Sequence, residues 1–338
     1  MEASHRDELA RRLAIIGCGA VVEEVYALEL NKLSEGGWTL LFVDADTLRA
    51  RGLASSFRGA EPVASLDQVI GRVSHAIVAT PPASHYAICS QLLRAGIHVL
   101  CEKPFVLNPA EGYELVKQAA ASGLKLHINQ TRRWFPASLI AKKLVADCAV
   151  GELTSIIIRE GNRFNWPTKT AFHSQPNLSR NGILSDLGAH IFDLASWVAG
   201  KPLKVINVKH DGYAGPEATV CARFSCGQIS GDATITWLLA VPNKMQFVGK
   251  KGHVTIDGDC NHALVHTEGQ DREVLGAKRY TGYPGIVADV IEAFLADSNN
   301  PAVATGESVM PSIEFLDQAY TMGKAELPFV TTLGGPSI

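Results

Sequence analysis

The stretch "SDLGAHIFD", residues 185 to 193, sets two carboxylates and an imidazole into an otherwise apolar run from Gly182 to Val198. On a helix advancing about 100° per residue, His190 falls about 40° to one side of Asp186 and Asp193 about 20° to the other. All three then share a face beside an apolar stripe of Leu187, Ile191, Leu194 and Val198. An imidazole titrates near neutrality without large perturbation, so His190 suits a general base that takes a proton from an alcohol. Asp186, one turn away, binds substrate or tunes that imidazole. Asp193 orients His190 or meets a second hydroxyl. Two plainer readings fit the same residues: a core histidine paired with acids, and a carboxylate–imidazole metal set.

"CEKPF" places Glu102 and Lys103 at the carboxyl end of a predicted strand, before Pro104. In isolation this is a surface salt bridge. At the end of a parallel strand it faces a ligand crevice, where an ammonium holds a substrate hydroxyl and stabilises developing alkoxide charge. A lysine cation there also stands where a metal would sit, so no metal is expected. "IIGCGAVVEEV" puts Gly17 and Gly19 between a strand and a helix. The first glycine permits the tight turn, and the second lets backbone approach a pyrophosphate seated on the helix N-terminus. The third position of G-x-G-x-x-G is Val22, where glycine would ease helix–strand packing. Asp44 ends the second strand, where an acid accepts the ribose 2′-OH and repels a 2′-phosphate. No arginine immediately follows it, although Arg49 and Arg51 are near, so NAD(H) is favoured over NADP(H). "VATPPASH" sets Thr80, Pro81 and Pro82 at a third strand end, as a stiff crevice wall or only a rigid turn.

The elements that must position these residues change character along the chain. "RLAIIGCGA", "WTLLFVDAD", "SHAIVATPP", "IHVLCEKPF" and "LKLHINQT" read as strands separated by helical patterns. One of those helices opens on Asn108 and closes on Gly123, and another stops at Gly96. The alternation argues a doubly wound parallel sheet, an α/β Rossmann domain over residues 11–131. After a helix at about 137–147 come long β-like segments, with "SCGQ" and "GKKGH" as hairpin turns, and helical patterns return at 285–296 and about 307–323. Residues 132–338 therefore read as an α+β domain with a large, mostly antiparallel open sheet and helices on one face.

The chain's 338 residues, 46% of them hydrophobic, suffice for two cores, and a net charge of −3 without a basic stripe argues against nucleic acid. Seven cysteines without a C-x-x-C suit a reducing, cytoplasmic setting. No apolar run approaches a membrane span. Arg11-Arg12 before "LAIIGC" mimics an export signal, but the apolar run is short and Glu23 and Glu24 follow.

In order and spacing, "GCGAVVEE", "VATPPASH", "HVLCEKPF", "NQTRRWFPA" and "GILSDLGAHIFDLASWVAG" resemble the Gfo/Idh/MocA family, which includes glucose–fructose oxidoreductase and inositol dehydrogenase. The resemblance runs from about Leu13 to Leu327. It implies a Rossmann domain followed by an α+β domain with an open sheet. It also implies oxidation of a secondary alcohol of a sugar, sugar nucleotide or cyclitol, or the reverse reduction, with NAD(P)(H). Carried over, the catalytic set is Lys103, Asp186 and His190. Asp193 matches the last motif acid, and Arg133 matches an arginine common after that strand, assigned to substrate. The cofactor set takes in Gly17, Gly19, Ala20, Val21, Val22, Asp44, Thr80, Pro81, Pro82, His85, Glu102 and Lys103. A homodimer or homotetramer through the second domain's sheet is implied as well.

"GNRFNWPTKTAFHSQPN", residues 161 to 177, is a candidate substrate wall: Trp166 stacks on a sugar or the nicotinamide, or only anchors the loop. Lys169, His173 and Arg180 suit an anionic group, and Tyr283 is a further wall. Two alternatives keep the fold: an imine or tetrapyrrole reductase, and a non-catalytic sensor that binds dinucleotide.

Overall fold

The computed structural model describes residues 11–165, 180, 182–213, 215–258, 260–267 and 269–326. Among these, contacts divide the chain into two units, one of 11–131 with 281–310, the other of 132–165, 180–280 and 311–326.

The first unit is built on a six-stranded parallel sheet in the order β3-β2-β1-β4-β5-β6. The strands are β1 (Arg12–Ile16), β2 (Thr39–Val43), β3 (Glu61–Val63), β4 (His75–Val78), β5 (His98–Cys101) and β6 (Leu126–Ile128). Leu13, Ala14, Ile15, Leu40, Leu41, Ala76 and Ile77 are fully buried, as strands covered by helices on both faces must be. Local chemistry sets the helix ends. Asp46 accepts the Leu48 and Arg49 N–H groups before α2 (Thr47–Ala54), which follows α1 (Ala27–Glu35). α3 is His85–Arg94, and α4 (Pro109–Ser122) is capped by Asn108 and closed by Gly123 at φ 62°. The carboxyl ends of β1, β2, β4 and β5 carry Gly17, Asp44, Thr80 and Lys103.

After residue 131 the chain enters the second unit, and over 281–310 it returns to the first. The helix Tyr283–Leu295 packs on α1 and the turn preceding it. Its Phe294 ring meets His75 edge-on at 5.2 Å and His127 at 5.7 Å. Lys125 holds the end of that helix, its Nζ donating to the carbonyls of Phe294 at 3.1 Å and Ala296 at 2.6 Å. His75 also stacks on His98, 4.8 Å between ring centres.

Burial pushes His75 and His127 down to about 4, and His98 is lowered for the same reason, with Lys125 adding to the effect on all three. The folded values lie below the unfolded one, so the fold favours neutral imidazole. This contribution is intact above about pH 6.5 and is lost as pH falls towards 4. After allowance for partial exposure it is on the order of 1 kcal/mol for each of His75 and His127. Thermal melts from pH 7 to pH 4 are expected to show a fall that His75→Gln/His127→Gln reduces by several degrees. Parallel curves for the two proteins would contradict the assignment.

The second unit has a nine-stranded sheet in the order β14-β13-β12-β11-β7-β10-β9-β8-β15. Its strands are β7 (Leu153–Gly161), β8 (Lys204–His210), β9 (Thr219–Cys226), β10 (Ile229–Thr236), β11 (Val241–Gly249), β12 (Gly252–Ile256), β13 (His262–Thr267), β14 (Gln270–Leu275) and β15 (Lys324–Ala325). Most neighbours are antiparallel, but β7 runs parallel to β10, and β8 to β15. The expected hairpins form at Cys226–Ile229, with Gly227 at φ 64°, and at Gly249–Gly252. The helices α5 (Pro136–Ala146) and α6 (Ala189–Ala199) supply much of the core cover, with Phe192 packed on Phe224 and Phe315. Phe315 belongs to α8 (Gly306–Met322), which follows α7, the helix Tyr283–Leu295. No described helix is long and apolar enough to cross a membrane.

Candidate active site

The residues expected to hold a dinucleotide lie in the first unit. Gly17 has φ 94°, and a Cβ there would run into the Ala79 carbonyl, so this turn requires glycine. A Cβ at Gly19 would meet nothing within 4 Å, leaving open space over the turn. The N–H groups of Gly19, Ala20 and Val21 precede the first helical closures, in which the Val22 N–H at 3.0 Å and the Glu23 N–H at 3.3 Å both donate to the Gly19 carbonyl. A glycine cradle with room above it fits a pyrophosphate. Asp44 is half-buried and already engaged: one oxygen accepts the Cys18 N–H and the other the Asp46 N–H, each at 2.8 Å. It therefore ties the phosphate turn to the end of β2, with lone pairs remaining for a ribose. The Cys18 thiol is buried, and burial first, then Asp44, pushes its pKa up to about 12.

Val22, at the third glycine position, is fully buried. It opens a π turn, Val22–Tyr26, whose i→i+5 hydrogen bonds make a wider turn than an α-helix. That width gives a physical account of valine in place of glycine.

Two of the residues assigned to the cofactor have side chains turned to the protein interior. Glu102 was expected beside the cofactor, but it is 7% exposed and turned inward. Its Oε1 accepts the Tyr26 hydroxyl at 2.6 Å and the Asn129 amide at 2.7 Å, and its Oε2 accepts the Lys103 N–H at 3.1 Å. His85, also expected at the cofactor, is fully buried. One ring nitrogen faces the Pro104 and Phe105 carbonyls at 3.1 Å and the other faces the Thr80 carbonyl at 2.8 Å. Burial lowers its pKa against the pull of those carbonyls. Both residues brace the loops that carry Thr80 and Lys103. Thr80 and Pro81 are half-buried, Pro82 is buried, and Lys103 is half-buried beside a cis Lys103–Pro104 bond. Tyr283 is exposed at the start of α7.

In the second unit the run from Gly182 is helical, but its first part is a π turn, Leu184–Gly188, continuing into α6. An even 100° wheel therefore does not apply across Asp186, because the π turn holds an extra residue. Asp186 and His190 are each half-buried.

Asp193 and Arg133 depart from expectation together. Arg133 is 1% exposed and Asp193 2%. Arg133 Nε donates to Asp193 Oδ2 at 2.7 Å and an Nη donates to Oδ1 at 2.6 Å, a fork-on-carboxylate pair. The Arg133 guanidinium also lies 5.6 Å from the Trp197 ring centre. Each Asp193 oxygen thus accepts from Arg133, and the pair is buried together, a bonding that the expected roles of Asp193 beside His190 and of Arg133 at the substrate did not include.

Arg180 donates to Asp317 at 2.8 Å and lies over the Tyr320 ring. Trp166, Lys169 and His173 lie outside the described residues. Tyr26, Asn129, Glu217 and Tyr320 were missed from the sequence, since each acts through a partner distant along the chain; Asn129 opens the "NQTRRWFPA" stretch, but nothing there points to Glu102 or Tyr26.

A family model described as an oxidoreductase family with an NAD-binding Rossmann fold matches residues 11–130, and the GFO/IDH/MocA C-terminal domain model matches 139–255. D-apiose dehydrogenase of Paraburkholderia graminis is 28% identical over 55% of this chain and 49% of its own length. The scyllo-inositol 2-dehydrogenase (NADP(+)) of Bacillus subtilis is 30% identical over 47% of this chain and 44% of its own. The matched region thus spans about half the length of these relatives. A 3-ketoreductase from Actinomadura kijaniata, solved with NADP and TDP-benzene, shares the fold, with TM-score 0.75, 18% identity, and coverage of 93% of this chain and 98% of that one.

Proposed function

The chain belongs to the Gfo/Idh/MocA oxidoreductase family, and from that premise we propose that it moves a hydride between NAD(H) and a secondary alcohol or ketone carbon. The substrate is a sugar, sugar nucleotide or cyclitol. The nicotinamide ring, when bound, supplies the hydride acceptor or donor. The backbone at Gly17, Gly19, Ala20 and Val21 holds the pyrophosphate, and Asp44 holds the adenosine ribose. Lys103 hydrogen-bonds the reacting oxygen and stabilises negative charge as its proton leaves. His190 takes that proton, and Asp186 binds substrate or tunes the imidazole. A cytoplasmic homo-oligomer completes the proposal.

The observation that carries this reading is the phosphate turn: a glycine that no other residue can replace, open space over Gly19, and an acid at the end of β2 bonded to the turn itself. The names of a sugar dehydrogenase and an inositol dehydrogenase among the relatives support the substrate class. Sugars, uronates, inositols and nucleotide sugars, each offered with NAD or NADP, test it through the absorbance of reduced nicotinamide. Silence across the panel in both directions counts against hydride transfer.

Asp44 carries the preference for NAD. Losing a charge-assisted bond to the ribose costs about 1.5–3 kcal/mol, so Asp44→Ala is expected to lower the NAD-over-NADP ratio of kcat/KM roughly tenfold or more. Because Asp44 also holds the Cys18 N–H, both cofactors bind more weakly, and the ratio is the readout. An unchanged ratio removes the ribose contact.

A further inference from the structure

The helical run bearing Asp186 and His190 has no cap of its own: Ile183, before the π turn, has helical backbone angles and no side-chain bond. Its first N–H groups are met from elsewhere in the same unit. The Ile183 N–H donates to the Glu217 carbonyl at 2.9 Å, and the Leu184 N–H to Glu217 Oε1 at 3.0 Å. The Tyr320 hydroxyl, from α8, donates to the same Oε1 at 3.0 Å and accepts the Ser185 N–H. Glu217 is 6% exposed. Its carboxyl occupies the place a Cβ at Gly182 would take, so residue 182 admits only glycine while Glu217 lies there.

The π turn explains why such bracing matters. Converting Leu184–Gly188 to α geometry would shift the register by one residue. That would rotate everything before the turn by about 100° relative to α6. Asp186 lies inside the turn and His190 beyond it, so their mutual orientation depends on that register being held.

We infer that Glu217 and Tyr320 are positioning residues, a lock on the first turn of this helix that fixes where Asp186 and His190 point relative to one another. The catalytic consequence rests on the proposed role of His190, but the lock itself does not.

A substrate-free measurement tests it. Protein labelled at histidine and loaded with NADH gives a His190 ring resonance, assigned by its loss in His190→Ala. Glu217→Ala and Tyr320→Phe are expected to displace or split that resonance. Glu217→Gln, whose amide oxygen still accepts the Leu184 N–H and the Tyr320 hydroxyl, is expected to restore it. Thermal melts establish that each variant is folded, and Tyr320→Phe carries the test if Glu217→Ala is not. A wild-type His190 resonance in the folded variants overturns the lock. A displaced resonance alongside full turnover by His190→Ala supports the lock and overturns the base assignment, so the two failures are distinct.

Discussion

His190→Ala is expected to lower kcat by about 10²–10⁴ while NAD(H) binding persists. Loss of a positioned base leaves proton removal to water, which is poorly placed and far weaker as an acceptor near neutrality. The residues proposed to hold the nucleotide lie in the other unit and keep their bonds, from the Gly17 turn to Asp44 and Lys103. Binding is read by quenching of protein fluorescence, and turnover with the panel substrate that wild type processes fastest. The acid limb of the kcat profile, set by protonation of the base, is expected to vanish with the imidazole. Wild-type turnover, or an unchanged acid limb, would take the base assignment away.

Asp193→Ala is expected to act on stability instead. The change leaves the Arg133 guanidinium buried without its carboxylate, and breaking a buried pair in this way costs about 3–5 kcal/mol. For a protein of this size that is a drop in Tm of roughly 4–7 °C. Replacing both partners with apolar groups, Arg133→Met with Asp193→Leu, removes two desolvated charges together and is expected to recover much of the loss. Chemical denaturation of the two singles and the double gives the coupling directly. An Asp193→Ala protein as stable as wild type would mean that the pair is solvated, and would return Arg133 to the candidates for substrate contact.

The fold was largely legible because its signals are local. β1, β2, β4 and β5 are short, mostly apolar runs stopped by glycine, proline or acid, and α4 announces both of its ends at Asn108 and Gly123. β3 escaped because it is Glu61-Pro62-Val63, three residues at a sheet edge. β14, Gln270–Leu275, is almost wholly exposed and polar, so no alternation marks it. At the site, residue types were legible but partnerships were not. Glu102 and His85 stand in motifs that point to the cofactor, yet their bonds run to Tyr26, Asn129 and backbone carbonyls. Arg133 and Asp193 were each noticed but not joined, since composition gives no sign of a pair closed between residues sixty positions apart. The π turns were invisible as well: both Val22–Tyr26 and Leu184–Gly188 sit in ordinary helical patterns.

The return of Tyr283–Leu295 to the first unit bears on how the chain is made. During synthesis from the N-terminus, the parallel sheet is complete at β6, long before Phe294 leaves the ribosome to cover His75 and His127. The whole nine-stranded sheet except β15 emerges in that interval. The nucleotide-binding unit must therefore wait with one flank bare, and a fragment ending at residue 131 would keep that flank bare permanently.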